Sequence, residues 1–575
     1  MPTGLPPIDF PRHMCHARGH TRRTFLRHSS LALASGFLGR SSMATTAHTP
    51  IVIPARAPHP VASFAPPLVD PDVMRTLARF AIDAATQAGA QYADVRLVDQ
   101  RQFQCTGSLA DPRVLTFAYG YGLRVVVDGA VAFSGGGDPT PERLVRAARS
   151  AVATATGLAK IQDNVSRVRG AFASGPIVTG EWEASVEIDP FAVSPDDHLY
   201  ALAGFAKLGE TFRGPVGFGG IAVTWTAETR IFASSEGSLV TQRLHHAVPE
   251  LSIMGISQDP SASNFERKMP VTSSVLTPST AGFELVLGVP VRERVEQAMH
   301  DLIPWTTYPL SAVEVGRKDV VFDGQAFGAL IGATVLPALS LDRVLGDEQD
   351  MSGTSFLAPL DTSVGHPLFA PSLSVSVVTG GTHFKRMQWD DEGVVPSARR
   401  VIERGTVVNY FTTRANVHVL ADWYAKRGMP LQPQGIFRTD AVSGVPRAAP
   451  GACIVESPSQ GPSLTDMVAT IKDGVIVRGG QVAVDQQGLG GSVLNALVFE
   501  VRNGRITRRL KNAQIEFSTK GVLKSIPALG GPGTTDTMTN VLCGGMPVTC
   551  LPQTMTAPAA HVRSGNLTST ALRLT

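Results

Sequence analysis

The stretch YGLRVVVDGAVAFSG, residues 121–135, sets two apolar runs on either side of Asp128-Gly129. A two-residue loop of this composition takes positive φ at both positions, which matches the twist of an antiparallel strand pair, so the stretch reads as a β-hairpin. The same pattern returns near the other end of the chain in ALVFEVRNGRITRRL, residues 496–510, around Asn503-Gly504. A chain committed to antiparallel pairing in both halves is not a helical bundle. Its 56 glycines and 41 prolines supply the turns that a sheet-rich fold needs. At 575 residues it exceeds what one core serves, and roughly two to four domains are expected.

Helical signals are fewer and well punctuated. Asp70-Pro71 offers an N-cap and a first-turn proline, and Val73, Leu77, Phe80, Ala81 and Ala84 form one apolar stripe that stops at Gly89. ADVRLVD follows as a strand. Thr140-Pro141 opens a second helix with Leu144, Val145, Ala148, Ala151 and Val152 as its buried face. Residues 175–288 alternate short apolar runs with turn residues around a helix at Pro195–Leu208, and VRERVEQAMHDLI begins a third region rich in strands, GTVVNYFT among them. GLGGSVLNALV reads as a turn into a strand. The segment after Gly530, rich in Gly, Thr, Pro and Ala, reads as a loop-rich cap or a mobile end. These features give an α+β chain with an N-terminal α/β domain over 70–165, a central mixed domain over 175–288 and a mostly antiparallel β domain over 290–575.

The first residues read as an address. TRRTFLRHSSLALASGFLG places Arg22 and Arg23 before an apolar stretch that is far too short to span a bilayer, so residues 1–48 resemble a twin-arginine export signal. The expectation is a periplasmic or extracellular protein with no membrane span after signal removal. Residues 49–69 are proline-rich and read as a linker or an extended lead-in. Without the signal's six arginines and one aspartate, 45 basic and 47 acidic residues remain, so the balance gives no support for nucleic acid binding.

Motifs that carry chemistry are sparse. No helical His pair at metal spacing, nucleophile elbow, P-loop or dinucleotide fingerprint occurs. HHAVPE places His245, His246 and Glu250 together, but Pro249 argues against a continuous helix, and exposed polar residues are the plainer reading. The acidic run Asp390, Asp391, Glu392 reads as a solvated turn, with a cation site as the alternative. Cys543 and Cys550 lie seven residues apart, a spacing that fixes neither a metal site nor a bridge.

Longer stretches carry more. QYADVRLVDQ, YGLRVVVDGAVAFSGGGDPTPERLVRAA, DDEGVVPSARRVIERGTVVNYFTTRANV and VFEVRNGRITRRLKNAQIEFSTKGVLKSIPALG occur in an order that resembles the TldD/PmbA family, proteins of zinc-metalloprotease type. In that family a catalytic subunit pairs with a related subunit that lacks the metal site. The resemblance implies a homo- or heterodimer with a TldD-like subunit and an unfolded peptide held between the two. Catalytic members carry a helical His-Glu-x-x-x-His after a Gly-x-Leu-x run, and a cysteine near the C-terminus completes the zinc site.

In FDGQAFGALIGATVLPALSLDR the resemblance puts the first His at Gly332, the Glu at Ala333 and the second His at Pro337. None of these can ligate zinc or take a proton from its water. Pro337 also argues against a helix running through it. VLCGG places Cys543 at the remaining ligand position, so the resemblance implies a vestigial metal site and no cofactor, with Cys543 either paired with Cys550 or persisting as a buried thiol. The expected function is a non-catalytic subunit or peptide-binding shell in proteolysis. The alternative is an active metallopeptidase rebuilt from Cys543 and some of His245, His246, His366 and His383.

Overall fold

The computed structural model describes residues 61–107, 113–161, 175–211, 215–272, 275–287, 289–349, 352–380, 385–544 and 549–570. The expected signal at 1–48 and His383 lie outside them. Among the described residues, no helix is long and apolar enough to cross a membrane.

Helix α1 spans Pro71–Gln87 and starts where the sequence places it, with the Asp70 side chain accepting from the Asp72 N–H. Its buried face is Met74, Ala78, Ala81, Ile82 and Ala85, whereas Val73 and Phe80 of the expected stripe are exposed. The stripe is rotated because α1 lies against the sheet and against α2 (Pro141–Ile161), and small alanines allow that close approach. Helix α2 contributes Leu144, Ala147, Ala148, Ala151, Val152 and Ala155 to the same core.

The sheet beneath these helices has seven strands. Strands β1 (Tyr92–Thr106), β2 (Val114–Val127), β3 (Ala130–Gly137), β4 (Thr179–Glu183), β5 (Val216–Ser234), β6 (Leu239–Ile256) and β7 (Lys268–Thr272) follow in sequence, and their spatial order is β3-β2-β1-β5-β6-β4 with β7 on β6. One sheet therefore draws on both the 70–165 and the 175–288 segments. Asp128 and Gly129, at φ of 47° and 77°, turn β2 into β3 as their residue types require.

Over the far end of β1 and β5, helix α3 (Pro195–Thr211) places His198 among Phe103, Trp225 and Phe283, with ring centroids 5.0, 4.4 and 4.5 Å away. The described part of the lead-in is tied to this region. The Phe64 ring meets Phe103 at 4.9 Å, and the Val69 N–H donates to Asp99 at 2.6 Å.

Residues 310–569 build a 10-stranded and a 6-stranded sheet. Asn503 and Gly504 again form the tight turn, at φ of 50° and 74°, and GLGGSVLNALV yields the strand Gly490–Leu494. GTVVNYFT contributes only Thr406–Val407 to a strand; the chain then turns away so that Tyr410 and Phe411 enter the core.

The segment after Gly530 is, in its described residues, mostly strand rather than a loop-rich cap. Asp536–Gly544 and Thr549–Ala557 form a hairpin on the 6-stranded sheet, and Ala560–Ser569 lies inside the 10-stranded one, beside Gly316–Phe322. Its Ala and Thr residues carry little hydrophobic signal, yet Leu551, Met555, Ala557, Ala560 and Val562 are buried because neighbouring elements cover them.

Candidate functional site

The segment that would carry the zinc motif is a helix, Gly324–Ala338. Asp323 caps it, its carboxylate accepting from the Ala326 N–H at 2.8 Å and from the Gly479 N–H at 3.1 Å. Burial raises the Asp323 pKa despite nearby Arg478.

Contrary to expectation, the helix runs through Pro337 and ends one residue later. The proline withholds a single N–H, at a point where the helix is already closing. Phe327, Leu330, Ile331, Val335 and Leu336 are fully buried. At about 1.5–3 kcal/mol each, their burial exceeds the proline cost of about 3 kcal/mol.

One face of this helix is glycine. A Cβ on Gly324 would lie 2.6 Å from the Ala557 carbonyl, and one on Gly328 would lie 2.4 Å from the Met538 side chain. Gly332 continues the same face one turn on. This face receives the hairpin Asp536–Ala557, so the fold packs the helix that carries Gly332, Ala333 and Pro337 against the strand that bears Cys543. The hairpin register sets Cys543 directly opposite Cys550.

The positions do not suit zinc. Gly332, Ala333 and Pro337 bring no donor atom, and among the described residues no group of three His, Cys, Asp or Glu is arranged to hold a metal ion. The candidate histidines sit elsewhere. His245 and His246 are successive residues of β6 and face opposite sides of the seven-stranded sheet, with Glu250 exposed further along. His366 is exposed on a loop. Burial, aided by Lys385, pushes His246 down to about 4.

The acidic run is not solvated. Asp390, Asp391 and Glu392 are all buried, docked onto arginines that rise from the seven-stranded sheet. Asp391 accepts from Arg96 of β1 at 3.1 Å and from Arg230 of β5 at 2.7 Å, while Glu392 accepts from Arg124 of β2 at 2.8 Å. Asp390 is spent on backbone, accepting from the N–H groups of Glu392, Val394 and Phe437.

Beside them the Lys385 ammonium is held between Glu228 and Asp440. Burial pushes the Glu228 carboxyl up, but Arg230 and Lys385 more than offset it and leave it well below the usual range. The run joins the two parts of the chain. The signal sequence reasoning missed was the arginines at alternate or inward strand positions, where an apolar residue is the ordinary choice.

Residues 93–155 match a model described as PmbA/TldA metallopeptidase domain 1, and residues 315–568 match the PmbA/TldA metallopeptidase C-terminal domain. The chain belongs to the PmbA/TldD family. No curated protein sequence matches it.

Solved structures of similar fold include a proposed modulator of a DNA gyrase from Thermotoga maritima, at 15% identity and a TM-score of 0.61, covering 86% of this chain and 100% of that one. TldE from Thermococcus kodakarensis matches at 18% identity and a TM-score of 0.60, with the same coverage. A proposed gyrase modulator from Bacteroides thetaiotaomicron matches at 14% identity and 0.58, covering 87% of this chain and 99% of that one. These likenesses establish an α+β, sheet-rich fold.

Proposed function

We propose that this chain is a non-catalytic PmbA/TldD-family subunit that forms part of a shell holding an unfolded peptide. One observation carries the reading: the helix at the motif position is intact and buried, and its Gly332, Ala333 and Pro337 offer neither a ligand nor a base. A zinc hydrolase needs about three protein ligands and a group to accept the proton of the bound water. The helix therefore keeps its place in the architecture without the means for hydrolysis. The arginine-rich resemblance of residues 1–48 to an export signal supports a site of action outside the cytoplasm, alone or beside a TldD-like subunit.

Cys543 fits this reading as one half of a disulfide with Cys550. Directly opposed residues of an antiparallel pair fall within the Cα separation that a disulfide spans.

The test is to incubate purified mature protein with an unstructured peptide, with and without a chelator. Binding without cleavage, unchanged by chelator, is expected. Cleavage that the chelator abolishes contradicts the reading and favours a rebuilt metal site.

A further inference from the structure

Away from the motif helix, a groove of about 470 Å³ opens between α2 and the β2–β3 hairpin. Its walls include Arg143, Arg146 and Ser150 of α2 and Tyr121, Ser134 and Gly136 of the hairpin, and no carboxylate of the described residues lines it. Spacings of three and four set the helix residues on one face, and the strand register sets Tyr121 directly opposite Gly136. Gly136 does not have the positive φ that calls for glycine. What it provides is room, since a Cβ there would lie 3.0 Å from the Tyr121 hydroxyl. The Tyr121 ring is buried in the core between the helices and the sheet, and its hydroxyl end meets the groove. The donors here are largely unspent. Arg143 donates through Nη1 to the Gly137 carbonyl at 3.0 Å, which fixes its guanidinium at one end of the groove, with Asp138 further off at 3.4 Å. Arg146 and the hydroxyls of Tyr121, Ser134 and Ser150 make no hydrogen bond or ion pair among the described residues. Glu142, one turn before Arg146, is turned instead to the Thr140 hydroxyl and to its own backbone N–H.

We propose that this groove binds a small phosphomonoester, its phosphate held between Arg143 and Arg146. A guanidinium group carries donors and no acceptor, and the three hydroxyls add one donor each. A carboxylate has two oxygens and one charge, too few to use this set. A phosphate group has three terminal oxygens and close to two charges near neutral pH, which matches two arginines with hydroxyls beside them. The planar fork of arginine grips two such oxygens at once, where lysine would offer a point charge. Ser150 lies two turns, about 10 Å, along α2 from Arg143. Inorganic phosphate alone would leave most of that length empty, so the end near Ser134 and Ser150 takes the organic part of the ester. The groove needs nothing from the peptide-holding reading above.

The probe is glycerol 1-phosphate, with inorganic phosphate and acetate alongside, titrated into the purified protein by isothermal calorimetry at fixed low ionic strength. Wild type, Arg146→Gln and Ser150→Ala are compared, and melts without ligand check that they fold alike, as expected for two exposed positions. The expected result is that glycerol 1-phosphate binds more tightly than inorganic phosphate and that acetate gives no measurable binding. Arg146→Gln should weaken the ester by about tenfold or more, and Ser150→Ala by less. Wild-type affinity should also fall between about pH 7.5 and about 5.5, as the phosphate takes up its second proton. Equal affinity of wild type and Arg146→Gln overturns the site. Acetate that binds as tightly as the ester overturns phosphate recognition and leaves a general cationic patch. Inorganic phosphate that binds as tightly as the ester overturns the organic part and leaves free phosphate as the ligand. A wild type that binds none of the three overturns the proposal outright.

Discussion

Arg230 and Asp391, 161 positions apart in the chain, form an ion pair at 2.7 Å with both side chains almost wholly buried. The pair fastens β5 to the acidic run, and Asp391 takes Arg96 with its other oxygen. Removing a partner from such a pair leaves uncompensated buried charge, which typically costs 3–5 kcal/mol. Asp391→Ala leaves Arg96 without its carboxylate and Arg230 with Glu228 as its remaining carboxylate, so a loss of about that size is expected, read as a lowered urea midpoint. A midpoint within error of wild type would show that the arginines find other partners.

Two buried histidines make the fold sensitive to acid. Burial pushes His198 and His246 down to about 4. In the unfolded chain they titrate near 6.5. Their contribution to stability is complete above the unfolded pKa, and it is lost as pH falls from about 6.5 towards 4, because the unfolded chain then binds protons that the folded one refuses. The loss at pH 4 is on the order of 3 kcal/mol for each histidine. Melts between pH 7 and 4 should show Tm falling across this window, with a shallower fall for His198→Gln. A flat profile would contradict the assignment.

The glycine face of the motif helix tolerates no side chain at its start. A Cβ on Gly324 would press on the Ala557 carbonyl and the Asp536 amide nitrogen, and neither backbone can swing aside. Gly324→Ala should cost about 1–3 kcal/mol by overpacking. Gly328→Ala meets only the flexible end of Met538 and should cost less. Chemical denaturation of both variants checks the order; the reverse order would place the hairpin differently.

If Cys543 and Cys550 are bridged, unreduced mature protein will be two hydrogens lighter than its reduced form, and a single crosslinked peptide will contain both. Cys105 and Cys453, free and buried, should react with neither reagent nor partner until the chain unfolds. Intact mass before and after reduction tests this. An unchanged mass would leave the two thiols free.

Local chemistry was legible in the sequence wherever it alone decides the outcome. Asp128-Gly129 and Asn503-Gly504 take the φ values that only such residues hold cheaply, and Asp70 caps α1 as its type predicts. Features decided by distant partners were not legible. Val73 looks as apolar as Met74, and only the packing of α1 on α2 buries the second and exposes the first. The strands after Gly530 are built from Ala and Thr, whose burial depends on the helix and sheets around them. Asp391 read as a solvated turn because its partner Arg96 stands 295 positions away. Pro337 was expected to break a helix whose neighbours instead hold it together. The three motif positions were readable only through family resemblance.

On the proposed reading, the helix Gly324–Ala338 contributes no ligand to a metal. Metal content of the purified, mature protein, measured by inductively coupled plasma mass spectrometry after dialysis, tests it most directly. The account predicts zinc far below one ion per chain. One tightly bound zinc per chain, lost together with peptidase activity on Cys543→Ser, would contradict it.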